Sequence, residues 1–395
     1  MKKGILTLVG GSLAIFWPGS FIFGFPGIMV PYWQASLGVG KGAIGNVMFF
    51  VLASLGVFMP MVGKAQKTLG ARRMVTIGIA ICGLDMLLLL WVKRLWVLYL
   101  WAFLMGTSSC FIYIPALTVV QGWFPGRRGL VSGIVNLVFG ISAAVTAPLF
   151  GWMLKSMGYA EMNLLLGLLA LIVGFSASRM IESPEGMTSA RSPRLPSRSL
   201  TLSESLRTPS LWSLWFTWAL QGAAGISMVT LSVTFGLSRG LQMGEAVLIL
   251  TAFNLANGLS RLISGYLSDL LGRNLMMSVT FLLAGAAYLC FVQVHLPLLY
   301  ALLALVVGFA FGTLFSVSAP LVSDCFGLEH FGAILGFVFT AYGFLSGIIG
   351  PSLSGYLLDT TGGNFGIVFG YLGAFCFAAG ILVLFVRPPR SQKLV

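Results

Sequence analysis

The chain predicts an all-α integral membrane protein: twelve transmembrane helices arranged as two pseudo-symmetric six-helix bundles. Three observations lead there. The 395 residues are 58% hydrophobic and 8% charged, with a mean hydropathy of +0.97, whereas about a quarter of an ordinary soluble globule is charged. The apolar residues come in continuous runs of about twenty, not in the two-residue alternation of a membrane β-barrel. The sequence also repeats itself. Gly63 and Gly265, Gly106 and Gly308, and Trp123-Phe124 and Cys325-Phe326 are each 202 positions apart, and Pro148 and Pro351 are 203 apart. Parallel repeats of this kind place a binding site between the bundles near the bilayer midplane.

Taken in order, the spans are expected at about 5–34, 43–63, 74–92, 96–121, 129–154, 162–181, 209–237, 245–268, 275–294, 297–322, 331–358 and 366–386. Lys2 and Lys3 before an apolar run resemble the start of a signal peptide. The run continues past Pro18 and Pro26 without a small-residue cleavage site, so it reads as a retained first helix. Between the sixth and seventh spans, residues 182–208 hold Pro184, Pro193 and Pro196, many serines, and Arg191, Arg194, Arg198 and Arg207. That composition is a solvated linker, with a short surface helix near Leu200 to Leu206. The expected division is therefore 1–181, linker, 209–395.

Seventeen of the 23 lysines and arginines fall on the side of both termini and the linker, five fall on the other side, and Arg261 alone lies inside a span. The asymmetry predicts cytoplasmic termini and accounts for the net charge of +13 by topology, with no nucleic-acid partner. Cys82, Cys110, Cys290, Cys325 and Cys376 show no CxxC spacing, so no disulfide or metal framework is implied. No hydrolase, metalloprotease or P-loop motif is present, and neither a cofactor nor an enzymatic activity is expected.

Arg261 is the focus of the chain. An ionised side chain near the bilayer midplane persists only when it faces a protein interior or a water-filled cavity, and guanidinium cannot escape by deprotonating. It requires an anion, and its planar fork suits a carboxylate. Asn257, four residues earlier, shares its helix face. Tyr342 and Phe339 share a face of the eleventh span and are candidate pocket walls, as is Tyr113 in the fourth span. Asp85 is the one carboxylate placed inside a span and is a candidate proton carrier. Gln221 and Asn136 read as lone amides bridging helices.

Gly265-Tyr266-Leu267-Ser268-Asp269-Leu270-Leu271-Gly272-Arg273, with its degraded copy from Gly63 to Arg73, resembles the loop signature of the major facilitator superfamily. Its expected logic is a tight glycine turn between helices, with Asp269 near helix-terminal amides and Arg273 as a cytoplasmic anchor. Lys67 stands where the family has an acid in the first copy. Trp123-Phe124-Pro125-Gly126-Arg127-Arg128-Gly129-Leu130 is similar to the segment before the fifth helix of monocarboxylate transporters and of bacterial oxalate/formate-type antiporters, although Gly126 replaces the lysine of the former.

The resemblance implies more about the site. Monocarboxylate transporters carry an Asp-xxx-Arg pair in the eighth helix; Asn257-xxx-Arg261 keeps the arginine and lacks the acid. The lysine that follows Phe-Pro in their first helix is also missing at Phe25-Pro26-Gly27. Tyr342 stands where oxalate-type exchangers have a second cation. One fixed positive charge suits a monoanion, because a second buried carboxylate would go uncompensated.

The expected function is proton-coupled symport of a small monocarboxylate of the L-lactate or pyruvate type, by alternating access across the inner membrane. Organic-anion exchange and a transporter-like anion sensor are the alternatives. The implied partners are the acid anion, a proton and the lipid bilayer, with the monomer as the working unit.

Overall fold

The computed structural model describes residues 2–124, 127–184, 199–327 and 329–388. Pro125 and Gly126 of the second motif, linker residues Arg191, Arg194 and Arg198, and the side chains of Lys64, Lys67 and Arg128 lie outside the described set. Among the described residues all regular structure is helical, and twelve helices are long and apolar enough to cross a membrane.

The first half comprises α1 (Lys2–Phe23) with its continuation α2 (Phe25–Leu37), then α3 (Lys41–Leu69), α4 (Ala71–Leu88), α5 (Leu95–Trp123), α6 (Arg128–Ser156) and α7 (Tyr159–Arg179). The short α8 (Leu202–Ser205) follows, held by a reciprocal capping box between Thr201 and Glu204. The second half comprises α9 (Pro209–Ser238), α10 (Met243–Leu271), α11 (Arg273–Cys290), α12 (Pro297–Phe326), α13 (Phe331–Thr340), α14 (Leu353–Thr360) and α15 (Phe365–Leu382). The longest helices exceed the thickness of the hydrocarbon core. At 1.5 Å per residue the 30-residue α9 and α12 are about 45 Å long, well beyond a hydrocarbon core of about 30 Å.

Two interruptions shape the centre. The first span breaks at Gly24, because Pro26 has no N–H to continue the ladder. The eleventh span is π-helical over Ala341–Ser346 and Ile348–Ser352, between α13 and α14, with Pro351 inside the second stretch. Ser346 Oγ ties this irregular segment to the Trp218 and Ala219 carbonyls of α9 at 3.2 and 2.9 Å.

The motif turns are made at the second glycine of each motif. Gly63 and Gly265 lie inside α3 and α10. The chain reverses at Gly70 (φ +78°) and Gly272 (φ +94°), a left-handed backbone that favours glycine. These two are themselves 202 positions apart.

The halves meet at two glycine crossings. On one side α6 passes α10, where a Cβ on Gly140 would lie 2.7 Å from Gly258 Cα. On the other, α3 passes the π-helical stretch, where a Cβ on Gly343 would lie 2.8 Å from Gly56 Cα. The repeat relates the pairs: Gly56 to Gly258 by 202 positions and Gly140 to Gly343 by 203.

The end of the molecule opposite the termini is latched. Asp359 Oδ1 and Oδ2 accept the Lys41 and Gly42 backbone N–H groups at 2.9 and 2.8 Å, where α3 leaves its first amides without intrahelical partners. Among the described residues, hydrogen bonds between the halves occur only here and between Asn254 and Phe23. At the end carrying the termini, Lys3 and Arg72 pair with Glu182 within the first half, and Arg273 pairs with Asp269 and Asp324 within the second.

Candidate functional site

Arg261 sits on α10 at the glycine crossing and is 5% exposed. A Cβ on Gly140 would come within 3.2 Å of its Nε. The guanidinium makes one hydrogen bond among the described residues, from Nη2 to Asn257 Oδ1 at 3.5 Å. Two rings flank it, one from each half: Phe315 of α12 with its centre at 4.8 Å, and Phe139 of α6 at 5.5 Å. No carboxylate among the described residues pairs with it.

The magnitudes show what is missing. An arginine at a helix centre costs about 3 kcal/mol on insertion scales, and desolvated cation–π contacts return up to about 2 kcal/mol each. The rings therefore offset much of the charge. They accept no N–H bond, however, and each donor left dry costs about 1–3 kcal/mol. Nε has no partner among the described residues. A carboxylate placed against the fork would satisfy these donors.

Other sequence candidates gather around this charge. Asn257, fully buried, turns Oδ1 to Arg261 and leaves Nδ2 without a protein partner. Tyr342 is 2% exposed, and its hydroxyl is likewise unpartnered. The Tyr113 and Tyr342 phenols both lie within electrostatic reach of the guanidinium. Tyr113 donates to Asn136 Oδ1 at 2.5 Å, so its proton is already used within the first half. Phe339 presents a ring only, packed on Trp218 (4.5 Å) and Phe315 (6.3 Å).

Other expectations need correction. Asp269 pairs with Arg273, not with helix-terminal amides, and Arg273 also reaches Ser268 Oγ at 2.7 Å. Gln221 bridges nothing among the described residues, for neither amide atom has a partner there. Of the motif residues, Gly265, one turn beyond Arg261 on α10, would carry a Cβ into open space, and Arg127 is exposed at the start of α6. Asp85, 2% exposed with both oxygens unpartnered, lies on α4 packed against α5 and α7, apart from the Arg261 cluster. Among the described residues no cluster suited to a metal ion occurs, and all five cysteines are free.

Sequence reasoning missed three residues here. Phe139 and Phe315 are two among 31 phenylalanines, and nothing in the sequence marks them. Asn254 did carry a signal, since it stands three residues before Asn257 and seven before Arg261. Its Nδ2 crosses between the halves to the Phe23 carbonyl at 3.1 Å, at the broken end of α1.

The profile of the Major Facilitator Superfamily matches residues 11–248 and 225–395. The chain belongs to this superfamily. Being a major facilitator, it is a multi-pass membrane transporter. It is similar to the oxalate:formate antiporter of Oxalobacter formigenes, 27% identical over 309 residues that cover 77% of this chain and 72% of that one. It is also similar to monocarboxylate transporter 13 of Rattus norvegicus, 29% identical over 343 residues, 84% and 78% of the two chains. A solved bacterial homologue of the human lysosomal transporter Spinster, inward-facing and unoccupied, superposes with TM-score 0.69 at 12% identity. The match covers 98% of this chain and 94% of that one, and it shows the shared fold.

Proposed function

We propose that this major facilitator carries a small monocarboxylate of the L-lactate or pyruvate type by proton-coupled symport, with Arg261 as the carboxylate site. The observation that carries the reading is a buried guanidinium at the crossing of the two halves, with Nε unpartnered and no paired acid among the described residues. Asn257 and Tyr342 supply further hydrogen bonds, and Tyr113 and Phe339 form walls. The asymmetry of lysines and arginines supports cytoplasmic termini in a monomer spanning the inner membrane.

In alternating access the halves rock about the central site. Substrate neutralises Arg261, so the cavity closes around a net-neutral interior. The latched end, held by Asp359, then faces outward and the site opens towards the cytoplasm. Asp85 is the proposed proton carrier, being a buried carboxylate with no partner to hold it ionised.

Exchange of one organic anion for another is the second reading. The missing acid at position 257 and the similarity to the oxalate:formate antiporter favour it. Uptake of labelled lactate into proteoliposomes separates the two. Symport gives uptake that rises with an acid exterior and needs no internal anion. Uptake indifferent to the gradient but dependent on internal anion would establish exchange, and no uptake of any short carboxylate would refute both.

A further inference from the structure

We propose that Asn254 is a specificity-determining residue that selects acids bearing a hydroxyl close to the carboxylate over their oxo or unsubstituted analogues. The inference rests on Arg261 as the carboxylate site. Asn254 is fully buried, and with Asn257 and Arg261 it lies on one face of α10 at spacing i, i+3, i+7.

Its amide orientation is fixed by chemistry. Nδ2 gives its two hydrogens to two carbonyls, Phe23 O across the interface and Leu250 O on its own helix, each at 3.1 Å. Exchanging the amide oxygen and nitrogen would set an acceptor against both acceptors. Oδ1 is therefore the atom left over, buried and without a partner among the described residues.

The other unpartnered polar atoms of the cluster are of the opposite kind. Arg261 Nε and Asn257 Nδ2 are unpartnered donors, and the Tyr342 hydroxyl donates as readily as it accepts. Carboxylate oxygens satisfy donors only. An arginine side chain on a helix leans towards the helix N-terminus, which the contact with Asn257 confirms. A carboxylate on its fork thus lies towards Asn254, whose acceptor then needs a donor from the ligand. A 2-hydroxy acid brings one O–H. A 2-oxo acid and an unsubstituted acid bring none. An ammonium group would bring donors, but with a second positive charge beside Arg261.

Equilibrium binding of lactate, pyruvate, propionate and alanine to the purified full-length protein tests this. Lactate is expected to bind on the order of tenfold more tightly than propionate or pyruvate, since a site built to pair a hydroxyl penalises a ligand that leaves its partner dry. In Asn254→Leu the lactate-to-propionate ratio should fall to about one while propionate binding persists. Loss of the bond to Phe23 would weaken all acids alike, so the ratio reports specificity apart from any structural effect. Wild-type protein that binds propionate or pyruvate as tightly as lactate overturns the inference, whether or not the variant folds. An unchanged ratio in Asn254→Leu also overturns it. Absence of binding by any acid would overturn the carboxylate reading as well.

Discussion

Gly258→Ala puts the glycine crossing to the test. Its added Cβ would lie 2.7 Å from Ile141 N and 3.1 Å from the Gly140 carbonyl carbon, where ordinary contact begins at 3.4 Å. The difference, 3.4 minus 2.7, means that α6 and α10 must part by about 0.7 Å, since the nearest obstructing atom is backbone and the next, Ile141 Cβ at 3.0 Å, is fixed to it. Overpacking of this kind costs about 1–3 kcal/mol, and a bias of that size between two conformations changes their ratio by about 5- to 150-fold. Its repeat mate provides the control. A Cβ on Gly56 meets the Phe344 ring at 3.1 Å, and that ring, 42% exposed, can turn aside. Initial uptake rates in proteoliposomes, with thermal unfolding measured alongside, should show Gly258→Ala slowed about tenfold or more and Gly56→Ala within about twofold of wild type. Wild-type rates in Gly258→Ala, or a larger loss in Gly56→Ala, would refute the reasoning.

Removing the Asp359 carboxylate with Asp359→Ala should loosen the latched end. Spin labels at Lys155→Cys and Arg239→Cys, in a Cys290→Ser background, should then read a longer mean separation, and an unchanged distance contradicts the latch. Tyr342→Phe deletes a hydroxyl that has no partner in the protein, so the melting temperature should hold or rise while acid affinity falls; a lowered melting temperature with unchanged affinity would assign the hydroxyl a structural role. Asp85→Asn should abolish the response of uptake to an acid exterior while sparing anion counterflow, and full gradient-driven uptake in that variant removes Asp85 from the proton path.

The periodic features of the fold were legible because they are written locally. Apolar runs, the sidedness of lysine and arginine, and the 202-residue repeat each follow from the bilayer as solvent. The break at Gly24 and the π-helical stretch near Pro351 were not, because a proline shows where a ladder is weakened and not how neighbouring helices repair it. Which glycine of each motif makes the reversal was not legible, since only backbone dihedrals single out Gly70 and Gly272.

Within the site, Arg261 stood out because a lone charge in a span is costly wherever it points, and Asn257 followed from spacing. Phe139 was invisible, since its contact with Arg261 exists only once α6 and α10 cross. Gln221 was misread because a buried amide usually finds a partner, and here neither atom does.

The most direct measurement of the central claim is the affinity of short carboxylates for purified wild type, Arg261→Lys and Arg261→Gln, with folding checked by thermal unfolding. The account predicts saturable binding to wild type, marked weakening in the lysine variant, which lacks the planar fork, and none in the glutamine variant. Undiminished binding to folded Arg261→Gln would contradict it.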